Sequence, residues 1–171
     1  VFGIEWASAK LIQSFVGTFN ALLILALGSR VFNKTAGVLA AVLYTLYGNI
    51  IILESTLEPT AFILFFNLLL VYFLLLAKDF SHNPRHTATL IAAGGLFAGL
   101  SIVTKPNSLL FLPLGIVWLL FCQTGTPTFR KKLALALIYF ISALAVVAPV
   151  TIRNYVKLND FVFVTADAGK V

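Results

Sequence analysis

The sequence predicts an all-α, polytopic transmembrane bundle of about six spans. Three observations carry this. First, 60% of the 171 residues are hydrophobic and 11% are charged, with a mean hydropathy of +1.01, whereas a soluble domain carries about 25% charged residues. Second, the apolar residues fall into long runs, each close to the ~20 residues that a helix needs to cross ~30 Å of hydrocarbon. Third, the runs lack the short alternating segments of a barrel, and only helices otherwise satisfy their own backbone in lipid. The chain opens at Val1, contains no Met and ends at Val171, as expected of an internal fragment of a longer protein.

The spans follow in order. Residues 1–10 are short and mixed, with Trp6 suited to a headgroup position. The first span covers 10–28; its Gln13, Ser14 and Asn20 are expected to face other helices rather than lipid. Arg30 and Lys34 close it. The second covers 36–53, and the loop with Glu54 and Glu58 follows. The third covers 59–77, with Asn67 inside it, and the polar loop from Lys78 to His86 ends it. In the fourth, 87–104, Gly95 and Gly99 form a small-xxx-small pair that lets another helix approach closely. Lys105-Pro106-Asn107 then interrupts the apolar run as a tight turn, because proline disfavours the helical region for the residue before it. The fifth span, 107–122, is short, with a kink expected at Pro113; the sixth is 133–152, and 153–171 reads as an external loop or tail. No fixed-period repeat of the kind that marks inverted-repeat transporters is evident.

Alternating loops divide the charges. One side receives Arg30, Lys34, Lys78, Arg85, Arg130, Lys131 and Lys132 against Asp79 alone. The other receives Lys10, Lys105, Arg153, Lys157 and Lys170 together with Glu5, Glu54, Glu58, Asp160 and Asp167. The positive-inside rule assigns the first group to the cytoplasm and leaves Glu58, Lys105 and Arg153 external. The overall charge of +6 would suggest nucleic acid in a soluble protein; in a membrane chain it reflects loop charge, and no nucleic-acid partner is expected.

The candidate site is built from the charges that membrane insertion disfavours. A charge at the bilayer centre costs about 2.5–3.5 kcal/mol on insertion scales, so such residues lie at helix ends or serve a function. Glu54 and Glu58 stand four apart in Leu53-Glu54-Ser55-Thr56-Leu57-Glu58-Pro59-Thr60, on one face if the helical turn continues. Pro59 fits the first position of the next helix and Glu58 its cap, where the helix dipole favours the ionised form. Carboxylates so placed hold a divalent cation, a hydroxyl or an amine, while Lys105 and Arg153 suit a phosphate at headgroup depth. The competing reading takes each singly: a charged loop that keeps two helix ends in water, a snorkelling lysine and an arginine at a helix C-terminus. Other candidates read as structural. His82 and His86 flank Pro84 in a solvated loop, Asn33-Lys34-Thr35 faces the cytoplasm, Arg130-Lys131-Lys132 fixes topology and touches anionic lipid, and Cys122 is an inert buried thiol with no partner for a disulfide.

Several short motifs stand in a recognisable order: Leu57-Glu58-Pro59, then Gly95-Leu96-Phe97-Ala98-Gly99-Leu100-Ser101-Ile102-Val103-Thr104-Lys105-Pro106, then Pro149-Val150-Thr151-Ile152-Arg153-Asn154, then Asp160-Phe161-Val162. In this the chain resembles the polytopic GT-C glycosyltransferases, which include protein O-mannosyltransferase-like and lipid A sugar-transferase-like enzymes of bacterial membranes. The resemblance runs from about Gly17 to Gly169, through order and spacing rather than through any one motif. It implies a multi-pass protein of the plasma (inner) membrane that transfers a hexosyl- or pentosyl-type sugar from a polyprenyl-phosphate donor to a lipid, glycan or protein acceptor. Glu58 looks like the second acidic element of that site and Glu54 a helper. Lys105 and Arg153 look like phosphate contacts, with Asn154 beside them. No cofactor is implied beyond an optional divalent cation, for which Glu58 is the candidate ligand. The resemblance also implies an aspartate in a first external loop, which would lie upstream of Val1. The tail Asp167-Ala168-Gly169 departs from the Gly- or Asn-rich turn expected there.

A transporter or flippase-like bundle that binds an anionic or lipid-phosphate solute is the alternative. It would place its key polar residues near mid-membrane on broken helices, whereas the charges here fall at span ends.

Overall fold

The computed structural model describes residues 2–47, 59–122 and 128–158. Among these, six α-helices and one 3-10 turn account for all regular structure: α1 (Phe2–Val31), α2 (Lys34–Leu46), α3 (Thr60–Asp79), α4 (Pro84–Thr104), the 3-10 turn (Pro106–Leu110), α5 (Phe111–Phe121) and α6 (Phe129–Leu158). Four helices are long and apolar enough to cross a membrane, over Ser8–Val31, Thr60–Asp79, Pro84–Thr104 and Phe129–Val156. Two are shorter, Lys34–Leu46 and the combined Pro106–Phe121. Large apolar side chains line the outside, among them Phe15, Leu43, Leu114 and Ile141. That surface is unfavourable in water and suits a lipid solvent.

The chain divides into two compact units, Val1–Leu69 and Leu70–Val171. In the first unit, α1 and α2 meet through glycines. A Cβ on Gly28 would lie 2.8 Å from the Gly37 Cα, so the two backbones touch with no room for a side chain. Asn33 caps α2, its side-chain oxygen accepting from the Ala36 N–H at 2.8 Å. The Asn33-Lys34-Thr35 triplet thus serves as a helix start. Asn20 is fully buried and donates from Nδ2 to the Ala61 carbonyl in the first turn of α3 at 3.0 Å. Gln13 is buried too, as expected of interior polar groups. Ser14 differs: it is exposed, and its hydroxyl turns back to the Lys10 carbonyl at 3.0 Å, satisfying itself on its own helix.

The second unit is built on α4 and α6. Gly95 abuts the Tyr139 carbonyl and Ser142, and Gly99 abuts the Ala143 carbonyl and Val146. The small-xxx-small pair therefore forms the helix contact that its spacing predicts. The contact numbers rise together on both helices, so α4 and α6 run parallel. On the other side of α6, Tyr139 passes into the space above Gly115 and donates its hydroxyl to the Phe111 carbonyl at 3.0 Å. Farther along, Lys132 Nζ reaches the Leu120 carbonyl at 3.2 Å. These pairs run in opposite order, so α5 is antiparallel to α6. The α3 segment from Leu70 onward packs on α4 in antiparallel fashion. Thr87 Oγ1 donates to the Phe80 carbonyl at 2.8 Å, and Phe73 stacks on Phe97 with ring centroids 5.5 Å apart. Leu70, Leu74, Ile91, Ala98, Leu119 and Tyr139 close the core between these helices.

Several boundaries differ from the sequence reading. α1 already runs from Phe2, so residues 2–9 are helical rather than a separate interfacial piece. α4 starts at Pro84, capped by Asn83; this puts His86 in its first turn and His82 before it. Pro113 produces no interruption. The 3-10 turn delays the start of α5 to Phe111, which brings Pro113 into the first turn, where its missing N–H costs nothing. Cys122 is exposed at the end of α5 rather than buried. α6 continues through Pro149 to Leu158, so residues 153–158, read as the start of a tail, extend that helix.

Candidate phosphate-binding end and the acidic loop

Of the candidate site residues, Glu54 and Glu58 lie outside the described residues. Pro59, next in the chain, leads into α3, and its carbonyl accepts the Ile63 N–H at 3.0 Å. The Asn20 bond to Ala61 then holds this first turn against α1.

Lys105 sits at the break between α4 and the 3-10 turn. Its backbone is extended (φ −150°, ψ 120°), as the following Pro106 requires. Its N–H closes α4 on the Ser101 carbonyl at 2.9 Å, and its carbonyl accepts the Ser108 N–H at 3.0 Å. Both backbone groups are thereby satisfied, and the exposed side chain leaves from a fixed corner. Ser101 and Ser108, on either side of that corner, are both buried.

Arg153 is exposed and Asn154 half-buried, both on the last two turns of α6. Pro149 precedes them by about one turn. It cannot donate to the Ala145 carbonyl, and its ring crowds that carbonyl. The Thr151 hydroxyl donates back to the Val147 carbonyl at 3.2 Å just beyond.

The parallel α4/α6 contact fixes how these residues stand relative to one another. Gly95 meets Tyr139 and Gly99 meets Ala143, an offset of 44 residues; Ile102 packed with Val147, at 45, keeps it to within one residue. Extended to Lys105, the offset reaches Pro149, and Arg153 lies four residues on, about 6 Å of helical rise. Lys105, Arg153 and Asn154 therefore gather at one end of the second unit. Lys78, Asp79, Arg85 and residues 130–132 gather at the opposite end, set there by the Thr87–Phe80 and Lys132–Leu120 bonds. One end thus presents two exposed cations, one on a fixed corner and one in the last two turns of a helix, side chains able to meet phosphate oxygens. The other presents a denser basic surface.

No group of three or more His, Cys, Asp or Glu placed to hold a metal occurs among the described residues; Glu58, the candidate cation ligand, is not among these. The sequence reading passed over Tyr139 and Gly115, which tie α5 to α6. A lone tyrosine in an apolar run carries no signal of its hydrogen bond.

The family model for dolichyl-phosphate-mannose-protein mannosyltransferase matches residues 1–152. No curated protein and no solved structure gave a match. The match spans the apolar helices, the acidic loop and the Lys105 corner, and stops one residue before Arg153. The chain belongs to the dolichyl-phosphate-mannose-protein mannosyltransferase family, membrane glycosyltransferases of the GT-C type.

Proposed function

We propose that the protein transfers a sugar from a polyprenyl-phosphate donor to a lipid, glycan or protein acceptor on the external face of a bacterial inner membrane. Family membership supports the reaction class. The observation that carries the site assignment is the gathering of Lys105 and Arg153 at one end of the parallel α4/α6 pair.

The chemistry follows from the charges. The acceptor hydroxyl attacks the anomeric carbon as the bond from that carbon to the phosphate oxygen breaks, inverting the centre. The hydroxyl proton passes to a carboxylate, and the polyprenyl phosphate leaves with one more negative charge. Lys105 and Arg153 meet that growing charge, Arg153 as a fork and Lys105 as a point charge. Asn154 orients the same phosphate as a neutral partner. Glu58, assisted by Glu54, holds the acceptor hydroxyl or a divalent cation beside the donor.

The test is transfer by the intact protein in membranes, with a radiolabelled polyprenyl-phosphate sugar pool, comparing wild type with Glu58→Gln. Loss of labelled acceptor in the variant, at unchanged membrane insertion, is the expected result. Equal turnover by both proteins would remove Glu58 from the site. Absence of transfer by wild type over a broad donor panel would favour a solute-binding bundle instead.

A further inference from the structure

An apolar groove of about 210 Å³ runs between α3 and α5, within the second unit. Leu70, Leu74 and Leu75 line it from α3, and Phe111, Leu114 and Trp118 from α5. It opens outward, since Val71 and Leu114 on its rim are 37% and 52% exposed. No titratable group lines it. In a membrane such a groove faces acyl chains.

The ends of the groove differ. Leu75 is three residues from Lys78, and Trp118 is two residues from Leu120, whose carbonyl holds Lys132; each step is about 3–5 Å of rise. At the other end, Phe111 is six residues from Lys105, with the 3-10 turn between them, about 12 Å of rise at most. The groove therefore lies nearer the densely basic end than the Lys105–Arg153 end. By the bond between Thr87 and Phe80 and the 44-residue offset of α6, Lys78, Arg85, Arg130, Lys131 and Lys132 share one level along the helix axes to within about one turn. Asp79 is the acid among them. Lys132 spends one of its three N–H groups on Leu120, which fixes the ammonium at the mouth of the groove.

We propose that this groove and the basic end of α6 together form a binding site for an anionic bilayer phospholipid, one acyl chain between α3 and α5 and the headgroup phosphate on Lys78, Arg130, Lys131 and Lys132. Charge complementarity selects the occupant: a zwitterionic lipid would bring a cationic group to a surface already in excess of positive charge. A basic cluster that served topology alone would need no groove beneath it. A groove for any chain would need no cations at its mouth. The site is separate from the sugar-transfer site and does not rest on that reading.

The experiment uses the intact protein purified in neutral detergent and loaded with phosphatidylglycerol or phosphatidylcholine of identical chains, with retained lipid read by native mass spectrometry. Wild type is expected to hold one phosphatidylglycerol at least tenfold more strongly than phosphatidylcholine. Each base near a membrane surface contributes about a fivefold factor in binding, so Arg130→Gln with Lys131→Gln should lower the affinity about 25-fold. Leu114→Trp fills the groove from its exposed rim and should lower phosphatidylglycerol retention at least fivefold. Val71→Trp, from the facing helix, guards against a fault peculiar to one variant, and a monodisperse elution profile certifies each fold. Equal retention of the two lipids by wild type would overturn the proposal. So would loss in the basic double variant with full retention in both tryptophan variants, which would reduce the cluster to diffuse surface charge. Loss in the tryptophan variants alone would reduce the groove to a nonselective one and would equally refute the site. Displacement of phosphatidylglycerol by polyprenyl phosphate, abolished in Lys105→Gln, would reassign the groove to the sugar donor.

Discussion

Gly94 and Gly99 share one helix yet should respond differently to alanine, and the comparison tests the α4/α6 contact on which the site geometry rests. A Cβ at Gly99 would lie 2.6 Å from the Ala143 carbonyl oxygen and 2.8 Å from the Val146 Cβ. Ordinary contacts between carbons begin at about 3.5 Å, so the helices must part locally by roughly 0.7 Å or more. Overpacking of this kind costs about 1–3 kcal/mol. At Gly94 the nearest atom to the added carbon is Leu74 Cδ2 at 3.5 Å, an ordinary contact. Both substitutions gain the same helix propensity, about 1 kcal/mol at most. That gain cancels in the difference, so Gly99→Ala should be less stable than Gly94→Ala by about 1–3 kcal/mol. Unfolding of the purified protein by sodium dodecyl sulfate in mixed micelles measures the difference directly. Because the same contact sets the level of Arg153 against Lys105, transfer activity should also fall in Gly99→Ala and persist in Gly94→Ala. Stabilities equal within error would mean that α4 and α6 do not pack through Gly99, and the gathering of Lys105 with Arg153 would lose its basis.

Three further outcomes follow from the same coordinates. Tyr139→Phe removes the hydroxyl donated to Phe111 while keeping the ring over Gly115; a loss of about 0.5–1.5 kcal/mol is expected in the same titration, in line with single interhelical hydrogen bonds, and a loss above 3 would show that the hydroxyl has a larger role. Asn20→Leu deletes the bond to Ala61 but also a buried Oδ1 with no partner among the described residues; the two effects oppose each other, so the net change should stay within about 1 kcal/mol, and a larger loss would reveal a partner for Oδ1. Arg153→Ala should raise the KM for the polyprenyl-phosphate donor at least tenfold and leave the KM for acceptor nearly unchanged; equal effects on both, measured by steady-state transfer, would remove Arg153 from the phosphate.

What the sequence made legible is what periodicity and length control. The helical class follows from apolar runs that no other structure can carry through lipid. The Gly95–Gly99 contact follows from a four-residue spacing that places two bare backbones on one face. Features decided by a single side chain's choice of partner were not legible. Ser14 looked like interhelical glue but satisfied itself on Lys10, because a hydroxyl can always turn back to its own helix. Tyr139 looked like any aromatic in an apolar run, though it joins α5 to α6. Pro113, where the sequence predicts a kink, and Pro149 both lie in helices that continue past them, for different reasons. One falls in a first turn, where no bond is lost, and the other inside a helix that packing holds together past it. For Arg153 the difference has consequences, since it moves from a tail to a helix of defined register.

That register supplies what alternation of spans lacks. Counting spans states that α4 and α6, separated by one intervening crossing, end on the same side; any up-and-down chain would give this, and it leaves the depths of Lys105 and Arg153 open. The glycine contacts convert the shared side into a shared level, because backbones that touch at Gly95 and Gly99 cannot slide without a clash against the Tyr139 and Ala143 carbonyls. The corner at Lys105 adds the second constraint: with its N–H bound to Ser101 and its carbonyl to Ser108, the side chain leaves from a backbone that has no unpaired group to draw it elsewhere. Two cations held about 6 Å apart in axial level by backbone contacts, rather than by each other, keep their mutual repulsion in the resting protein. In the proposed reading an incoming phosphate would relieve that repulsion, most of all as charge develops on the leaving group, and this end would assist the transfer in that way.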